Sequence, residues 1–543
     1  MRRLLRQLVC ATAWAAAAMM VTVLVTPVAG QAPGKFGNLA EGPYNRLVIR
    51  GAMVIPGHGG PPAGPYDIVI EKNVIKDMIP FDPVAVGRRG ATERATGDRI
   101  IDATGLYVMP GMIDLHMHIR QEPMEIEYTY YLMLANGVTG MVACTDRGVP
   151  YGMEHAKLSA QNAILAPRLI PYLGWGDLLN YDQAFLEDPA NAPRIAREMF
   201  AKGARVWSNP PSWNTELYGA ICKAVKDVGG VTIDHIGPDT HSVIQAVTAA
   251  RLGLTVVKHH YGLAESALDR TVQDFPGDYN VSNENQRFRS VGVVWEEAGR
   301  TAKERLLNWV PQKLVEYGAM MMPTMVVYEA SRDIERAASL PWHEKYTHQA
   351  LVNWNGPNVN FHGAFHYDWT SKDEQSWYTA FKLWGELIYE FNKRGGQLLY
   401  GTDANYLFAT PGFSNERELQ IMLESGLHTL EVLKIATSNS AKFLNLAHVE
   451  GADRMGLVRP GYLADLIIVD GNPAYNLRFL YPQGALRVDA SGQMIRTKGI
   501  IHTVKDGIVI NNARLMEQVA AMVAKSKKGA KPAPMMEPFV IGK

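Results

Sequence analysis

The chain has 543 residues, with 54 Lys plus Arg against 54 Asp plus Glu, 47% hydrophobic and 20% charged residues, and three cysteines. That composition excludes a disordered or collagen-like chain and a disulfide scaffold. Zero formal net charge argues against nucleic acid as the main partner, because phosphate binding needs surplus positive charge.

At the start, Arg2, Arg3 and Arg6 precede an apolar run from Leu8 to about Val28, and Val28, Ala29 and Gly30 supply small residues. This pattern reads as a secretory signal peptide over 1–30. The alternative is an uncleaved N-terminal anchor, since the run approaches the length of a span. The address expected is periplasmic or secreted. Cys10 leaves with the signal; Cys144 and Cys222 lie in apolar stretches and are expected to be free, buried thiols.

Short β-type runs follow (RLVIRGAMVI, YDIVIEKNVIKDMI), and the same character returns in ADLIIVD and IIHTVKDGIVI. Residues 44–103 and 448–515 are therefore expected to form one small β-sandwich domain built from both termini. Between them, 104–447 alternate strands with helical stretches. Strands are predicted at 137–144, 168–174, 231–235, 254–260, 319–328 and 397–403, and helices at 195–203, 216–229, 242–253, 313–318 and 381–395. This rhythm predicts an α/β fold, a (β/α)8 TIM barrel, with catalytic residues at the carboxyl ends of strands. Two connections, 264–305 and 331–378, exceed a normal barrel loop. The second carries Trp342, Trp354, Phe361, His362, Phe365, His366, Tyr367, Trp369 and Trp377. These aromatics either line a substrate pocket or pack a folded insertion. The Lys-, Ala- and Pro-containing tail, 516–543, is expected to be mobile.

The sharpest local feature is GMIDLHMHIR, in which His116 and His118 flank Met117. On a strand, residues two apart share a face, so both imidazoles project together at a carboxyl end and can chelate one cation. VTIDH ends in His235, VVKHH in His259 and His260, and GTD in Asp403. Taken singly, a His after an apolar run is more often structural, and Asp403 could cap the following helix. His155, His241, His348, His362, His366 and Asp146 take the bland reading of packed or solvated side chains.

PGMIDLHMH resembles the first-strand metal motif of the amidohydrolase superfamily, of the prolidase-like and imidazolonepropionase-like kind. NGVTGMVAC, APRLIPYLG, AMMMPTMVVY, GTDAN and MGLVRPGYLADLIIVDGNP resemble later elements in the same order. The resemblance implies a barrel beside a β-sandwich and one or two divalent ions, usually Zn2+, that activate a hydrolytic water. It implies His116, His118, His235 and Asp403 as metal ligands, and His259 as the sixth-strand His, with His260 its alternative by one residue. The bridging Lys of two-metal relatives is missing, because Ser208 stands at the end of the fourth strand. Trp207 cannot replace it, and Lys202 lies too early in the chain. One ion is therefore expected, with a second site using His259 as the alternative. Lys258 replaces the Glu usual before that His; strand alternation turns it away from His259, toward a structural salt bridge. Deaminase-like members carry a Glu where this chain has Pro238, with Asp239 beside it.

The resemblance thus implies an exported metal-dependent amidohydrolase cleaving an amide or related C–N bond in an N-acyl, dipeptide-like or cyclic substrate. Asp403 is expected to move the proton and His259 to stabilise the oxyanion. The alternatives are a deaminase or lactone hydrolase at the same metal, or a non-catalytic binding protein on the same fold. The partner expected is a small-molecule substrate, with no nucleic acid and no membrane beyond the signal anchor, and a homo-oligomer remains open.

Overall fold

The computed structural model describes residues 34–82, 94–120, 122–211, 213–236, 244–268, 277–280, 283–355 and 368–530. The signal peptide expected over 1–30, and His241, His362 and His366, lie outside the described residues. Among the described residues no helix is long and apolar enough to cross a membrane.

Seven parallel strands carry the centre of the molecule: Met112–Ile119, Val138–Thr145, Arg168–Leu173, Val206–Ser208, Val231–Asp234, Val256–Lys258 and Met320–Met322. They pair in chain order in one sheet. Residues 397–404 reach both of its edges. Leu399 N donates to Met321 O (2.8 Å), and Leu115 N donates to Tyr400 O (2.9 Å). Parallel bridges join Met321 to Leu398 and Met117 to Ala404. A sheet whose first and last strands meet one segment must curl on itself. Its inner face makes one apolar core to which every strand contributes, including Ile113, Val142, Ile170, Val206, Ile233, Val256 and Met322, together with Leu399. Against the eight strands expected, the sheet has seven regular strands, and residues 397–404 make isolated bridges to its edges.

Helices flank the sheet where the periodicity predicted them. Thr215–Asp227 starts at Asn214, whose side chain accepts from the N–H groups of Glu216 and Leu217. Ser371–Lys393 opens with a Thr370–Asp373 capping box. One predicted strand is corrected: 319–328 is extended only over Met320–Met322, and Met325–Arg332 is helical. Thr324, at φ 50°, turns the chain between them.

Both ends of the chain meet in a nine-stranded, largely antiparallel sheet. Leu466–Asp470 pairs with Tyr107–Pro110 on one side and Gly499–Lys505 on the other. Arg46–Val54 and Ala63–Glu71 pair beyond them. The hydrogen bonding is continuous through this sheet, and its apolar side chains, such as Leu47, Ile68, Leu466 and Val504, share one core. Tyr107–Pro110 belongs to this sheet, so the parallel unit starts later than the expected 104.

The tail expected to be mobile from 516 is helical at its start: Asn512–Lys527 buries Leu515, Met516, Val519 and Val523. These positions recur every three or four residues, which is an amphipathic stripe. Residues 531–543 lie outside the described residues. The long connections contain helices, among them Glu284–Thr301, Ile334–Ala338 and Gln349–Asn355. The described aromatics of the second connection pack it. Trp342 stacks on Phe413 at 5.1 Å, and Trp377 on Tyr328 at 6.0 Å.

Candidate active site

Asp114 sets the position of the first histidine. Its buried carboxylate accepts from His116 N (3.0 Å), Thr402 Oγ1 (2.6 Å) and Asn415 Nδ2 (2.8 Å). Burial pushes its carboxyl up to about 6, against the pull of those hydrogen bonds. The clamp ties the first strand to residues 400–404 and to the helix Phe413–Glu424. Gly401 allows the close approach, since a Cβ there would lie 3.0 Å from the His116 Cβ and 2.8 Å from Met322 Sδ.

The result is a convergence of three expected ligands. Asp403 Oδ1 lies 3.2 Å from both His116 Nε2 and His118 Nε2. Asp403 Oδ2 lies 3.8 Å from His259 Nε2. The His116 and His259 ring centres are 5.3 Å apart. His235 stands at the edge of this group, 6.2 Å from the His259 ring, and its Nε2 meets Asn209 Nδ2 at 3.2 Å. Asp403, His259, Thr324 and Asn209 all have φ between 50° and 58°. Non-glycine residues rarely adopt this conformation, and such strain concentrates at functional sites.

The donor set fits a divalent cation. Burial lowers His116 to about 4 and His235 to about 3, with the Lys258 ammonium acting in the same direction, so both are neutral. Burial also opposes ionisation of Asp403, but contacts with His116 and His118 hold its carboxyl well below the usual range. Burial acts downward on His118, yet Tyr406, Asp146 and Asp403 outweigh it and raise the imidazole above its ordinary value. His259 Nδ1 bonds the Thr324 hydroxyl, which itself donates to Pro323 O (2.6 Å). That arrangement leaves a bare His259 Nε2 facing a carboxylate. Two acceptors facing each other call for a cation or a shared proton between them. Among the described residues, Asp403 Oδ1 and the Nδ1 atoms of His116, His118 and His235 are buried without hydrogen-bond partners.

The group opens into a cavity of about 220 Å³ walled by Tyr172, Tyr261, Phe288, Tyr328, Tyr406, Arg287 and Lys258, among others. The aromatic wall therefore comes from strand ends and neighbouring helices, rather than from the described tryptophans of the second insertion.

Several sequence readings change here. His260, the one-residue alternative to His259, is boxed by Tyr261, Tyr328, Trp377 and Trp384 at 4.1–5.4 Å and has no partner for either nitrogen. Lys258 does not turn away into a salt bridge. The strand ends at Lys258, and His259 at φ 58° breaks the alternation, so both side chains line the cavity. Cys144 is half-buried and lines the same cavity, whereas Cys222 is buried as expected. Asp146, read as bland, pairs with Arg120 (2.9 Å) and faces His118 Nδ1 at 3.8 Å. His155 is packed, stacking on Tyr151 at 4.0 Å. His348 lies elsewhere, against Tyr128. Asp114, Asp146 and Tyr172 were missed; their one shared signal is a position at or next to an apolar run ending in a predicted strand.

Known proteins resemble the chain in parts and in fold. The profile of the Amidohydrolase family matches residues 388–510. A dihydroorotase of Pelotomaculum thermopropionicum is 32% identical over 117 residues, 21% of this chain and 25% of that protein. The chain thus aligns with about a quarter of that relative's length. Among solved structures, a Xaa-Pro dipeptidase with bound methionine superposes with a TM-score of 0.54 at 16% identity, covering 86% of this chain and 100% of that one. A bottromycin amidohydrolase gives 0.57 at 16% identity, covering 91% and 94%. These likenesses in fold run nearly the whole length of the chain, the Amidohydrolase family profile matches the segment containing Asp403 and the closing sheet, and the paired histidines stand where the sequence motif put them.

Proposed function

We propose that the protein is an exported, metal-dependent hydrolase of an amide or related C–N bond, acting on an N-acyl, dipeptide-like or cyclic substrate. Residues 397–404 serve as the eighth strand of its (β/α)8 barrel. The observation that carries the reading is the meeting of His116 Nε2, His118 Nε2 and Asp403 Oδ1 at 3.2 Å in a cavity at the carboxyl ends of parallel strands. His116, His118 and Asp403 would hold the ion, with His235 or His259 completing its shell. A divalent cation such as Zn2+ held there supplies Lewis acidity to a carbonyl oxygen and a source of hydroxide near neutral pH.

The chain's own groups do the rest. Asp403 Oδ2, the carboxylate oxygen turned toward His259, accepts the proton of the attacking water and passes it to the leaving nitrogen. His259, fixed by Thr324, aims its bare Nε2 at the reacting centre, where it would complete the ion's shell; donating to the oxygen on which charge develops, the role first expected of it, would require that nitrogen to be protonated. Tyr261, Phe288 and Tyr328 exclude water and favour an apolar or ring-bearing group. The arginines at 2, 3 and 6 followed by the apolar run to about Val28 support export, which suits scavenging of external compounds.

The test is a panel of N-acyl amino acids, dipeptides and cyclic amides, assayed for release of acid and amine. Chelation is expected to abolish turnover and a divalent ion to restore it, and Asp403→Asn to lose nearly all turnover with the fold retained. Turnover of Asp403→Asn within tenfold of the parent, or full activity in chelator, overturns the reading.

A further inference from the structure

Lys258 is 1% exposed, yet it lines the same cavity as His116, His235, His259 and Asp403. Its Nζ makes one polar contact, 3.4 Å to Ser208 Oγ, and among the described residues it forms no ion pair. The side chain leaves the sixth parallel strand and ends at the fourth. It therefore crosses the mouth of the fifth, since Ser208 pairs in register with Ile233 and Val257 with Asp234. His235 follows that strand directly. Nζ lies 5.4 Å from the Tyr172 ring, which is itself 5.4 Å from the His116 ring.

A buried ammonium that makes no ion pair, with Asp234 and Asp403 acting on it only from a distance, is costly. A divalent ion placed beside it adds like-charge repulsion in a low dielectric. On that side of the cavity the fourth strand offers the neutral Ser208 hydroxyl, which cannot join two cations as a carboxylate does. Among the described residues, the ligand groups close enough to hold an ion are His116–His118–Asp403 and His118–Cys144–Asp146. Neither includes His235 or His259.

We propose that Lys258 stands in for a second divalent cation: its ammonium occupies the His235–His259 side of the cavity and holds the centre to a single ion at His116, His118 and Asp403. The proposal rests on the metal-dependent reading above and adds the residue that sets the ion count. Lysine brings at most one positive charge, tethered to the strand, where an ion would bring two reversibly. Removing that charge opens the His235–His259 side of the cavity to a second ion.

The experiment uses the full chain, stripped with chelator, titrated with Zn2+ and counted by mass spectrometry of the metal after gel filtration. The wild type is expected to retain one equivalent, Lys258→Arg one, and Lys258→Met two. With Co2+, Lys258→Met is expected to show a spin-coupled EPR signal that the wild type lacks, a readout independent of turnover. Two equivalents in the wild type, or one or fewer in folded Lys258→Met, overturn the proposal. Should Lys258→Met fail to fold, the counts for the wild type and Lys258→Arg still decide: two equivalents in either refute it. A wild type that retains no ion removes the metal-dependent reading itself, which separates the two failures.

Discussion

Asp146 stands behind His118, 3.8 Å from Nδ1, and is itself held by Arg120 at 2.9 Å. A carboxylate in that place fixes which imidazole nitrogen faces the ion and raises its basicity. Asp146→Asn is therefore expected to weaken metal binding by about 10- to 100-fold while leaving thermal stability of the ion-free protein nearly unchanged. Calorimetric titration with Zn2+ checks it; an affinity equal to wild type would show that Asp146 serves only Arg120. His116 and His118 were legible because strand alternation is a local rule. Asp146 was not, because its value comes from a neighbouring strand that brings it opposite His118. Lys258 shows the limit of the same rule: alternation holds along a strand and fails at its last residue, where His259 takes a positive φ.

Among the elements, the helices Met325–Arg332 and Phe413–Glu424 are joined by a buried ion pair. Arg417 Nε and Nη2 donate to Glu329 at 2.8 and 2.6 Å, and both side chains are under 10% exposed. Arg332 and Arg336 converge on the same carboxylate at 2.8 Å. Breaking such a pair strands a charge out of water. Glu329→Ala is expected to cost about 3 kcal/mol, at the low end for a buried pair because Glu424 still reaches Arg417. Urea unfolding measures it; a loss below about 1 kcal/mol would mean that the site relaxes or takes up water. The helix Met325–Arg332 also carries Tyr328 of the cavity wall, so loosening it should raise KM before it lowers kcat. The sequence pattern suggested a strand here, since MMMPTMVVY is apolar throughout; periodicity cannot separate a buried strand from a buried helix over so short a run.

Across the whole molecule, the parallel unit and the terminal sheet are tied by Arg168, which pairs with Asp465 at 2.6 Å and with Asp506. Burial opposes ionisation of Asp506, but Arg168 and Lys505 overcome it and hold the carboxyl at about 2. The folded value lies below that of the unfolded chain, so the stabilisation is present above about pH 4 and is lost as pH falls toward 2. It amounts to ~2 kcal/mol. Asp506→Asn is expected to flatten the dependence of unfolding free energy on pH in that window. Identical slopes for the two proteins would mean that the pairing is also present in the unfolded chain.

The linear chain by itself determined the order of elements, the β-rich character of both ends, the paired histidines and the ordered motifs that resemble those of the amidohydrolase superfamily. These depend on spacing, turn residues and apolar periodicity, which act between near neighbours. Tertiary structure decided the rest: the clamp of Asp114 on Thr402 and Asn415, the exclusion of His260 into an aromatic box, the entry of Lys258 and Cys144 into the cavity, and the strand order of the terminal sheet. Each depends on groups brought together from separate strands or helices, and no local rule of sequence states which side of a strand end will face them.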